Sequence, residues 1–401
     1  MTGAGRLRRW GIAAASVTLL AAAVPAAGCT SPAGHPTAGP PRAAIAAGAA
    51  HSLQLRPDGS VWAWGGNQAG QLGDGRHTSS TAPVRVAFPS AARLPVTRIA
   101  AGGFRSLALD SAGHIWTWGA SDRPGADPTT DNDALPVEVP RPRAMAAPVT
   151  ALAAGYTHAL TIDHDGRVWA WGTNRFGELG DGRDTDSAVP VPVAMPTAAH
   201  PPFVAVSAGV DQSLALDSTG DVWVWGGPGD SAREICHDPA ACPRIRAPRR
   251  IPVPPELRMP VTAIAAGSDH ALLLDSAGRA WMCDLRTSVQ VPTPVGGNYQ
   301  QFRHIAAGVT HWLAIDTQGR PWAWGEGWDG KLGNGSSDDR DQPVPVSLPG
   351  LMRLPVQIVA AGQTHSLALD TDGQVWAWGG NTSGQLGNRS TMDSPVAVPV
   401  R

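Results

Sequence analysis

A sevenfold internal repeat is the feature of this sequence that most restricts its fold. The tripeptide Ala-Ala-Gly, or a close variant, occurs seven times, and each copy is followed by an alternating apolar run, a short turn, a Trp-rich run and a Pro-Val segment. The copies end at Gly48, Gly102, Gly155, Gly209, Gly267, Gly308 and Gly362. Self-similarity of this kind predicts an array of equivalent units, each packed on its neighbours.

Each repeat contains four short runs with the alternation or β-branched composition of strands, separated by Gly or Asx turns. No segment after residue 45 has the apolar stripe of an amphipathic helix. The sequence therefore predicts an all-β fold, a seven-bladed β-propeller of four-stranded blades over residues 44–401. We expect the Ala-Ala-Gly strand to be innermost, where only small side chains fit. The Pro-containing strand should be outermost, where no donor to a further strand is needed.

Tryptophan is predicted to fill the space between blades. Of the 16 tryptophans, 13 lie in the Trp-x-Trp position of the repeats, and alternation along a strand directs both rings of a pair to the same face. The glycines that follow, as in VWAWGGNQAGQLGDG at Val61–Gly75, allow a tight loop with positive φ angles before the outermost strand.

The N-terminus has the pattern of a targeting segment. Three arginines in the first nine residues precede an apolar run at residues 11–24, which is too short for a comfortable membrane span. Residues 1–28 are therefore predicted to be a signal peptide. The sequence AAGC, ending at Cys29, is similar to a bacterial lipobox, in which the cysteine is lipidated; ordinary secretory cleavage near Ala27 is the alternative. Residues 29–43, rich in Pro and Gly, predict a flexible linker.

Charge argues against one class of partner, and the cysteines suggest a disulfide. The net charge is −2, only 16% of residues are charged, and no basic run follows the N-terminus, so nucleic acid is not expected as a partner. Cys236 and Cys242 lie in the longer fourth repeat, and a disulfide between them is plausible in an exported protein. A Cys242–Cys283 bridge is the alternative, and we favour a buried thiol at Cys283.

No motif specifies catalysis, a metal or a cofactor. Histidines recur at one position of five repeats, as His51, His158, His270, His311 and His365. One histidine per blade places them around the ring, so we interpret them as hydrogen-bonding groups inside each blade. Turns such as DHDG at Asp163–Gly166 resemble fragments of calcium loops, but equivalent turns lack the second carboxylate and are interpreted as hairpins.

The most variable positions are the two residues after each innermost glycine, in the loop that leaves the inner strand at one mouth of the channel. Repeats two, four and five also lose the G-x-L-G motif, which places irregular loops in that sector. Aromatic and acidic residues on a rigid rim suit protein binding. The predicted binding residues are Phe104, Arg105, Tyr156, Asp211 and Asp269, with Trp328 as a further exposed anchor.

The repeat pattern A-A-G-x-x-H-S-L-A-L-D-x-D-G-x-V-W-A-W-G-x-N-x-x-G-Q-L-G resembles the regulator of chromosome condensation repeat family over roughly residues 44–401. That family includes a nuclear guanine-nucleotide exchange factor, a plant ultraviolet receptor and secreted bacterial proteins, one of which inhibits β-lactamases. The resemblance implies a seven-bladed propeller with a protein-binding face. It does not select the partner, because one fold hosts unrelated functions.

The leading hypothesis is a non-enzymatic, monomeric binding protein exported to the outer face of the cytoplasmic membrane or beyond it. Cys29 would carry its lipid anchor, and its rim would meet a protein or a cell-envelope glycan. A β-lactamase inhibitor is a sub-case, although the inhibitor's repeats resemble shorter units. A lyase or hydrolase at the channel mouth is a second reading, which would need Arg105, Asp211 and Asp269 to act together. Nucleotide exchange is a third, in conflict with the export signal.

Overall fold

The computed structural model describes residues 43–92, 95–121, 132–227, 244–286, 292–296 and 300–401. These residues form seven antiparallel sheets, each of four strands that are consecutive in sequence, and one short 3-10 turn at Trp328–Gly330. The predicted all-β class and the seven-bladed propeller are confirmed. The predicted signal peptide, the lipidation site Cys29 and the pair Cys236 and Cys242 lie outside the described residues.

In every blade the chain runs from the inner strand to the outer one. The inner strands are β1 (Ala44–Ala47), β5 (Val96–Ala101), β9 (Ala151–Ala154), β13 (Phe203–Ala208), β17 (Val261–Ala266), β21 (Phe302–Ala307) and β25 (Ile358–Ala361). The second strands are β2 (His51–Leu55), β6 (Arg105–Asp110), β10 (His158–Ile162), β14 (Gln212–Asp217), β18 (His270–Asp275), β22 (His311–Asp316) and β26 (His365–Leu369).

The remaining two strands of each blade follow the Trp-rich and Pro-containing runs. The third strands are β3 (Val61–Gly65), β7 (Ile115–Ala120), β11 (Val168–Gly172), β15 (Val222–Gly226), β19 (Ala280–Asp284), β23 (Pro321–Gly325) and β27 (Val375–Gly379). The outer strands are β4 (Ser80–Arg85), β8 (Asn132–Glu138), β12 (Ser187–Pro192), β16 (Ile245–Arg250), β20 (Thr293–Pro294), β24 (Arg340–Pro345) and β28 (Ser394–Pro399). Blade 1 is β1–β4, and the count continues to blade 7, β25–β28.

The inner strands converge on a central channel lined almost entirely by alanine and glycine. Consecutive inner strands contact one another around the ring, including β25 against β1. In six of the seven blades the residue after the inner glycine donates its N–H to the inner glycine of the next blade, as from Tyr156 N to Gly209 O at 2.9 Å; in blade 5, Ser268 N donates to Val309 O instead. The same bond from Gln363 N to Gly48 O, at 3.3 Å, joins the last blade to the first. The prediction that Ala-Ala-Gly is innermost is thus confirmed.

Each apolar core lies between two blades. Trp116 and Trp118 of blade 2 pack with Leu53 and Leu55 of blade 1, and the equivalent tryptophans fill the other interfaces. The second ring of each pair is fully covered, as at Trp64, which is 0% exposed. Burying a side chain of this size stabilises the fold by about 2 kcal/mol or more at each interface. The predicted role of Trp-x-Trp is confirmed.

The outer edge of every blade carries proline. Each of the seven outer strands contains at least one, for example Pro83 in β4 and Pro248 in β16. Because proline has no N–H, it interrupts the row of donors that an exposed edge would offer to another strand. Blade 5 is the least complete, since its outer strand β20 has only two residues.

Candidate functional site

One end of the propeller gathers two kinds of loop, which we call the upper face: the loops from first to second strands and those from third to outer strands. In each blade a backbone bond joins the two loops, as from Gly66 N to Ala50 O at 2.7 Å and from Ala120 N to Phe104 O at 2.9 Å. The hairpins between second and third strands and the connections between blades form the opposite end, the lower face. All six predicted binding residues belong to segments at or next to the upper face.

Buried asparagines hold the longer upper-face loops in shape. Asn67 Oδ1 accepts the Leu72 N–H at 2.9 Å, and its Nδ2 donates to the carbonyls of Arg76 at 3.0 Å and Thr78 at 3.1 Å. Asn174 and Asn381 make the equivalent bonds in blades 3 and 7. Our sequence analysis missed these residues, although the recurring Asn after W-G-x was the signal. Rigid loops lose little conformational freedom when a partner binds.

Phe104 and Tyr156, predicted separately, form one aromatic pair across blades 2 and 3. Their ring centroids are 5.8 Å apart at an interplanar angle of 75°, an edge-to-face contact. Phe104 is 39% exposed and Tyr156 is half-buried. The pair meets because first-to-second-strand loops of successive blades are neighbours around the channel mouth.

Trp328 is a second exposed aromatic group, on blade 6. Its side chain is 42% exposed, and its Nε1 donates to the Glu326 carboxylate at 2.7 Å. The ammonium of Lys331 lies 4.0 Å from the ring centroid and donates to Thr310 Oγ1 at 2.7 Å and to Glu326 at 3.1 Å. Burial lowers the pKa of Lys331, and Glu326 opposes that shift. The indole is thus fixed from one side and from its edge.

Asp211 and Asp269 lie partly buried in the upper-face loops of blades 4 and 5. Asp211 has an acidic neighbour, Glu178, whose side chain is almost fully buried and whose Oε2 accepts the Phe176 N–H at 2.7 Å. Burial is the main cause that raises the pKa of Glu178 to about 7; the carboxylates of Asp211 and Asp186 contribute to the rise, and hydrogen bonds from backbone N–H groups oppose it. This part of the upper face therefore concentrates negative charge.

The prediction that Arg105 belongs to the binding rim is wrong. Arg105 is only 3% exposed, and its Nη2 donates to the Thr157 carbonyl of blade 3 at 3.0 Å. It is the first residue of β6 and occupies the position that histidine takes in other blades, so its side chain lies in the interface and not on the surface. Arg105 is therefore a packing residue, and the three groups that an enzyme at the channel mouth would need are not all exposed.

Four of the five repeated histidines make hydrogen bonds between blades, so the prediction of bonds inside each blade is wrong; the fifth, His270, lies edge-on to Trp312 of blade 6. Between blades 1 and 2, Ser106 Oγ donates to Gln71 O at 2.8 Å, and Trp118 Nε1 donates to the same oxygen at 2.9 Å. His51 Nε2 lies 3.0 Å from Ser106 Oγ. Since the serine hydrogen is used by the carbonyl, His51 Nε2–H is the donor of that bond. We call this group of four residues a clasp.

Clasps occur at four of the seven interfaces. The other three consist of His158, Glu178, Ser213 and Trp225; of His311, Lys331, Ser366 and Trp378; and of His365, Gln385, Ser52 and Trp64. The last of these joins blade 7 to blade 1. The ring is thus closed by side chains, while every blade is built from one continuous stretch of chain.

The remaining interfaces lack the His–Ser pair in the part of the chain that is described. Where a serine would face the preceding blade, blades 3, 5 and 6 have Ala159, Ala271 and Trp312. Each of these blades follows a repeat that lacks G-x-L-G. Because both blade 5 and blade 6 belong to this group, blade 5 has no His–Ser pair at either of its interfaces. The sequence contained a signal for the clasps, because each repeat that follows a G-x-L-G motif has a serine at this position, but our sequence analysis did not use it.

One cluster of potential metal ligands and the buried cysteine both have structural roles. His200, Asp217 and Asp221 on the lower face are the described residues that come close enough to hold an ion. However, the Asp217 carboxylate already accepts Trp223 Nε1–H at 3.0 Å and three backbone N–H groups, and Asp221 pairs with Arg250 at 3.1 Å. The group is the acceptor centre of a hairpin turn. Cys283 is a buried thiol, as favoured, and burial raises its pKa to about 12.

In the described ranges no helix has the length and apolar character needed to cross a bilayer. The apolar run at residues 11–24 lies outside those ranges.

Comparison with known proteins gives consistent results. A family model described as RCC1-like domain matches residues 22–283 and, in a second overlapping match, residues 129–401. The ultraviolet-B receptor UVR8 of Arabidopsis thaliana is 27% identical over 376 residues, 90% of this chain and 71% of the receptor. The mitochondrial RCC1 domain-containing protein RUG3 of the same plant is 28% identical over 356 residues, 86% of this chain and 67% of RUG3.

Solved structures show the same fold. Human WBSCR16 aligns with a TM-score of 0.69 at 21% identity and covers 82% of this chain and 87% of its own. Prp20p of Saccharomyces cerevisiae, which binds Gsp1p and histones, aligns with a TM-score of 0.66 at 24% identity and covers 81% of each chain.

Proposed function

The chain belongs to the RCC1-like domain family, and from this premise we propose that it is an exported, non-enzymatic propeller that binds a partner protein on its upper face. The observation that carries the proposal is the pair of exposed aromatic groups, Phe104 with Tyr156 and Trp328, on loops fixed by backbone and asparagine hydrogen bonds. Large aromatic side chains on a preorganised surface are the usual centres of protein–protein binding energy.

A protein is a better fit than a cell-envelope glycan as the partner. The described upper face combines aromatic anchors with carboxylates, which suits hot spots and charged rims of protein interfaces. Prp20p, which has the same fold, binds proteins. Since its identity to this chain is below 25%, only the use of the fold for protein binding is carried over, and neither of its partners is.

We expect a pull-down with the tagged full chain, from envelope extract of the source organism, to retain a partner that the variant Phe104→Ala/Tyr156→Ala/Asp211→Ala/Asp269→Ala loses. Removing two aromatic anchors and two rim charges should weaken binding about 30-fold or more. The partner is identified by mass spectrometry, and its affinity for both proteins is then measured after purification.

The matched control removes exposed side chains from the lower face, as His164→Ala/Asp165→Ala/Asp372→Ala, and should retain the partner. If the upper-face variant and this control retain the same proteins, or if the wild-type chain retains none, the upper face is not the binding surface.

Export and tethering form the second part of the proposal, supported by the pattern of residues 1–28 and by Cys29. Acyl chains bind a bilayer through their buried methylene groups, at about 0.8 kcal/mol each. Cys29→Ser should therefore move the protein from the membrane fraction to the soluble fraction and abolish labelling by radioactive palmitate. Cys283→Ala is the control and should stay in the membrane fraction. An unchanged distribution of Cys29→Ser would exclude the lipid anchor.

A further inference from the structure

Charge is distributed unevenly over the propeller. The formal charge of the whole chain is only −2, yet acidic residues outnumber basic ones in the described upper-face loops. Leaving aside the buried Glu178 and Lys331, their acidic residues are Asp74, Asp181, Asp184, Asp186, Asp211, Asp269, Glu326, Asp329, Asp338, Asp339 and Asp393. Their basic residues are Arg76, Arg175, Arg183, Arg244, Arg286 and Arg389. Arg246 and Arg340, near the start of outer strands, form salt bridges with Asp184 and Asp338, so the excess comes from the other acidic residues. A face with such an excess attracts cations and repels anions over about a Debye length.

The excess is greatest where blades 6 and 7 meet. Four of the acidic residues lie in the blade 6 loop at residues 326–339. The short turn at Trp328–Gly330 packs against β27 and β28 of blade 7, and Asp393 directly precedes β28. Asp338 is paired with Arg340 at 3.5 Å, whereas Asp329 makes no hydrogen bond or salt bridge to another described residue. Burial and the nearby Asp393 carboxylate raise the pKa of Asp329. The ammonium of Lys331 opposes that rise, but it already donates to Thr310 and Glu326. Asp329 and Asp393 therefore lie in the same corner, and neither forms a salt bridge with another described residue.

Trp328 stands in this acidic corner and is exposed on the side that Lys331 does not cover. Its indole is held by the bond to Glu326 and by the buried ammonium, so it is preorganised for contact. A guanidinium group stacks on an indole through its flat, weakly hydrated face while its N–H groups bind carboxylates. The corner therefore offers both kinds of contact that an arginine side chain makes.

We propose that the upper face binds a basic segment of its partner, with an arginine or lysine side chain seated on Trp328 and paired with Asp329 and Asp393. The inference rests on the proposed function and adds the chemistry of the partner. Association with such a segment is accelerated by the field of the whole face and weakens as salt screens it.

The probe is a short oligo-arginine peptide with a fluorescent label, titrated with the full chain and followed by anisotropy. Oligo-glutamate and glycine-serine peptides of equal length are the comparison ligands. We expect oligo-arginine alone to bind, with an affinity that falls as salt is raised. Asp329→Asn/Asp393→Asn should weaken binding about tenfold, and Trp328→Ala about 30-fold. Asparagine is chosen because Asp329 has φ of 59°, a left-handed conformation that asparagine tolerates.

The control, Asp165→Asn/Asp372→Asn, removes the same charge from the lower face and should change the affinity by less than about twofold. The inference is overturned if this control weakens binding as much as Asp329→Asn/Asp393→Asn, or if oligo-arginine binds no better than the glycine-serine peptide. Near-ultraviolet circular dichroism of each variant shows that the fold is kept.

Failure of this inference and failure of the proposed function give different results. If a partner depends on Phe104 and Tyr156 but neither it nor oligo-arginine depends on Asp329 and Asp393, only the basic-segment inference fails. If oligo-arginine binds at Trp328 but no protein is retained by the upper face, the proposed function fails and the cation-binding corner remains.

Discussion

Gly155→Ala is expected to lower the free energy of unfolding by about 3 kcal/mol, because the inner ring of glycines has no space for a methyl group. A Cβ at this position would lie 2.6 Å from the carbonyl oxygen of Gly209 and 2.7 Å from Cε1 of His158. Neither neighbour is free to move. The carbonyl accepts the Tyr156 N–H at 2.9 Å, and the His158 ring is held 2.9 Å from Ser213 Oγ. Denaturant unfolding at constant m-value measures the loss.

Gly350→Ala is the matched control for this substitution. No atom lies within 4 Å of a Cβ built on Gly350, and its φ is outside the left-handed range. Its stability should be unchanged or slightly higher, because alanine restricts the unfolded chain. Equal stability of the two variants would mean that the inner glycines are not required by the close approach of neighbouring blades.

The architecture was predictable because it depends on the spacing of residue types along the chain, and this spacing recurs in every repeat. The alternation within VWAWG fixed the face on which Trp62 and Trp64 lie, and the shift of register at Gly65, with φ of 100°, matches the positive angle expected after the tryptophans. The inner glycines were expected from the lack of space, and the structure adds its source, the carbonyl oxygen of the next blade.

Arg105 shows the limit of that reasoning. It aligns with His51, which is buried, so the alignment of the repeats was the available signal for its burial, but it was assigned to the rim together with Phe104. In a strand, neighbouring residues point to opposite faces, so a shift of one residue turns a side chain from the surface to the interface. The side chain of Arg105, the first residue of β6, points into the interface. The clasps were missed for a related reason, since each joins two repeats and an alignment of single repeats does not display pairs such as His51 and Ser106.

The candidate site was predictable only in part. The variable positions after the inner glycines identified Phe104 and Tyr156, but their contact depends on two loops meeting across a blade interface. The acidic corner at Trp328 was harder to predict from the sequence. Asp329 and Asp393 are far apart in sequence and belong to different blades, and only the ring brings the two loops together.

Lowering the pH from 7 to 5 is expected to destabilise the propeller by several kcal/mol, through the clasp histidines. Burial lowers the pKa of His51 to about 4 and that of His365 to about 3, from 6.5 in the unfolded chain. The unfolded state therefore binds more protons than the folded state between pH 6.5 and about 4, so stability falls as the pH falls through that window. His51 alone contributes a loss of about 2 kcal/mol by pH 5.

The effects of other titrating groups on stability differ from those of the histidines in direction or in the pH range over which they occur. Burial raises the pKa of Glu178 to about 7, so this group adds stability as the pH falls from 7 to 4.5 and offsets part of the histidine effect. Although burial opposes it, hydrogen bonds from Trp223 and Thr219 hold the pKa of Asp217 below its usual value. Aspartates of that kind lose their contribution only below about pH 4, after the histidines have titrated.

The variant His51→Gln tests the assignment, because blade 4 uses a glutamine, Gln212, at this position. It should be less stable than the wild type at pH 7, since the bond to Ser106 is altered. Between pH 7 and 5, however, it should lose about 2 kcal/mol less than the wild type does. Urea unfolding at both pH values gives the four free energies required. If the loss between pH 7 and 5 is the same for both proteins, His51 does not titrate on unfolding, and the acid sensitivity must come from other groups, such as the remaining clasp histidines or the buried His304.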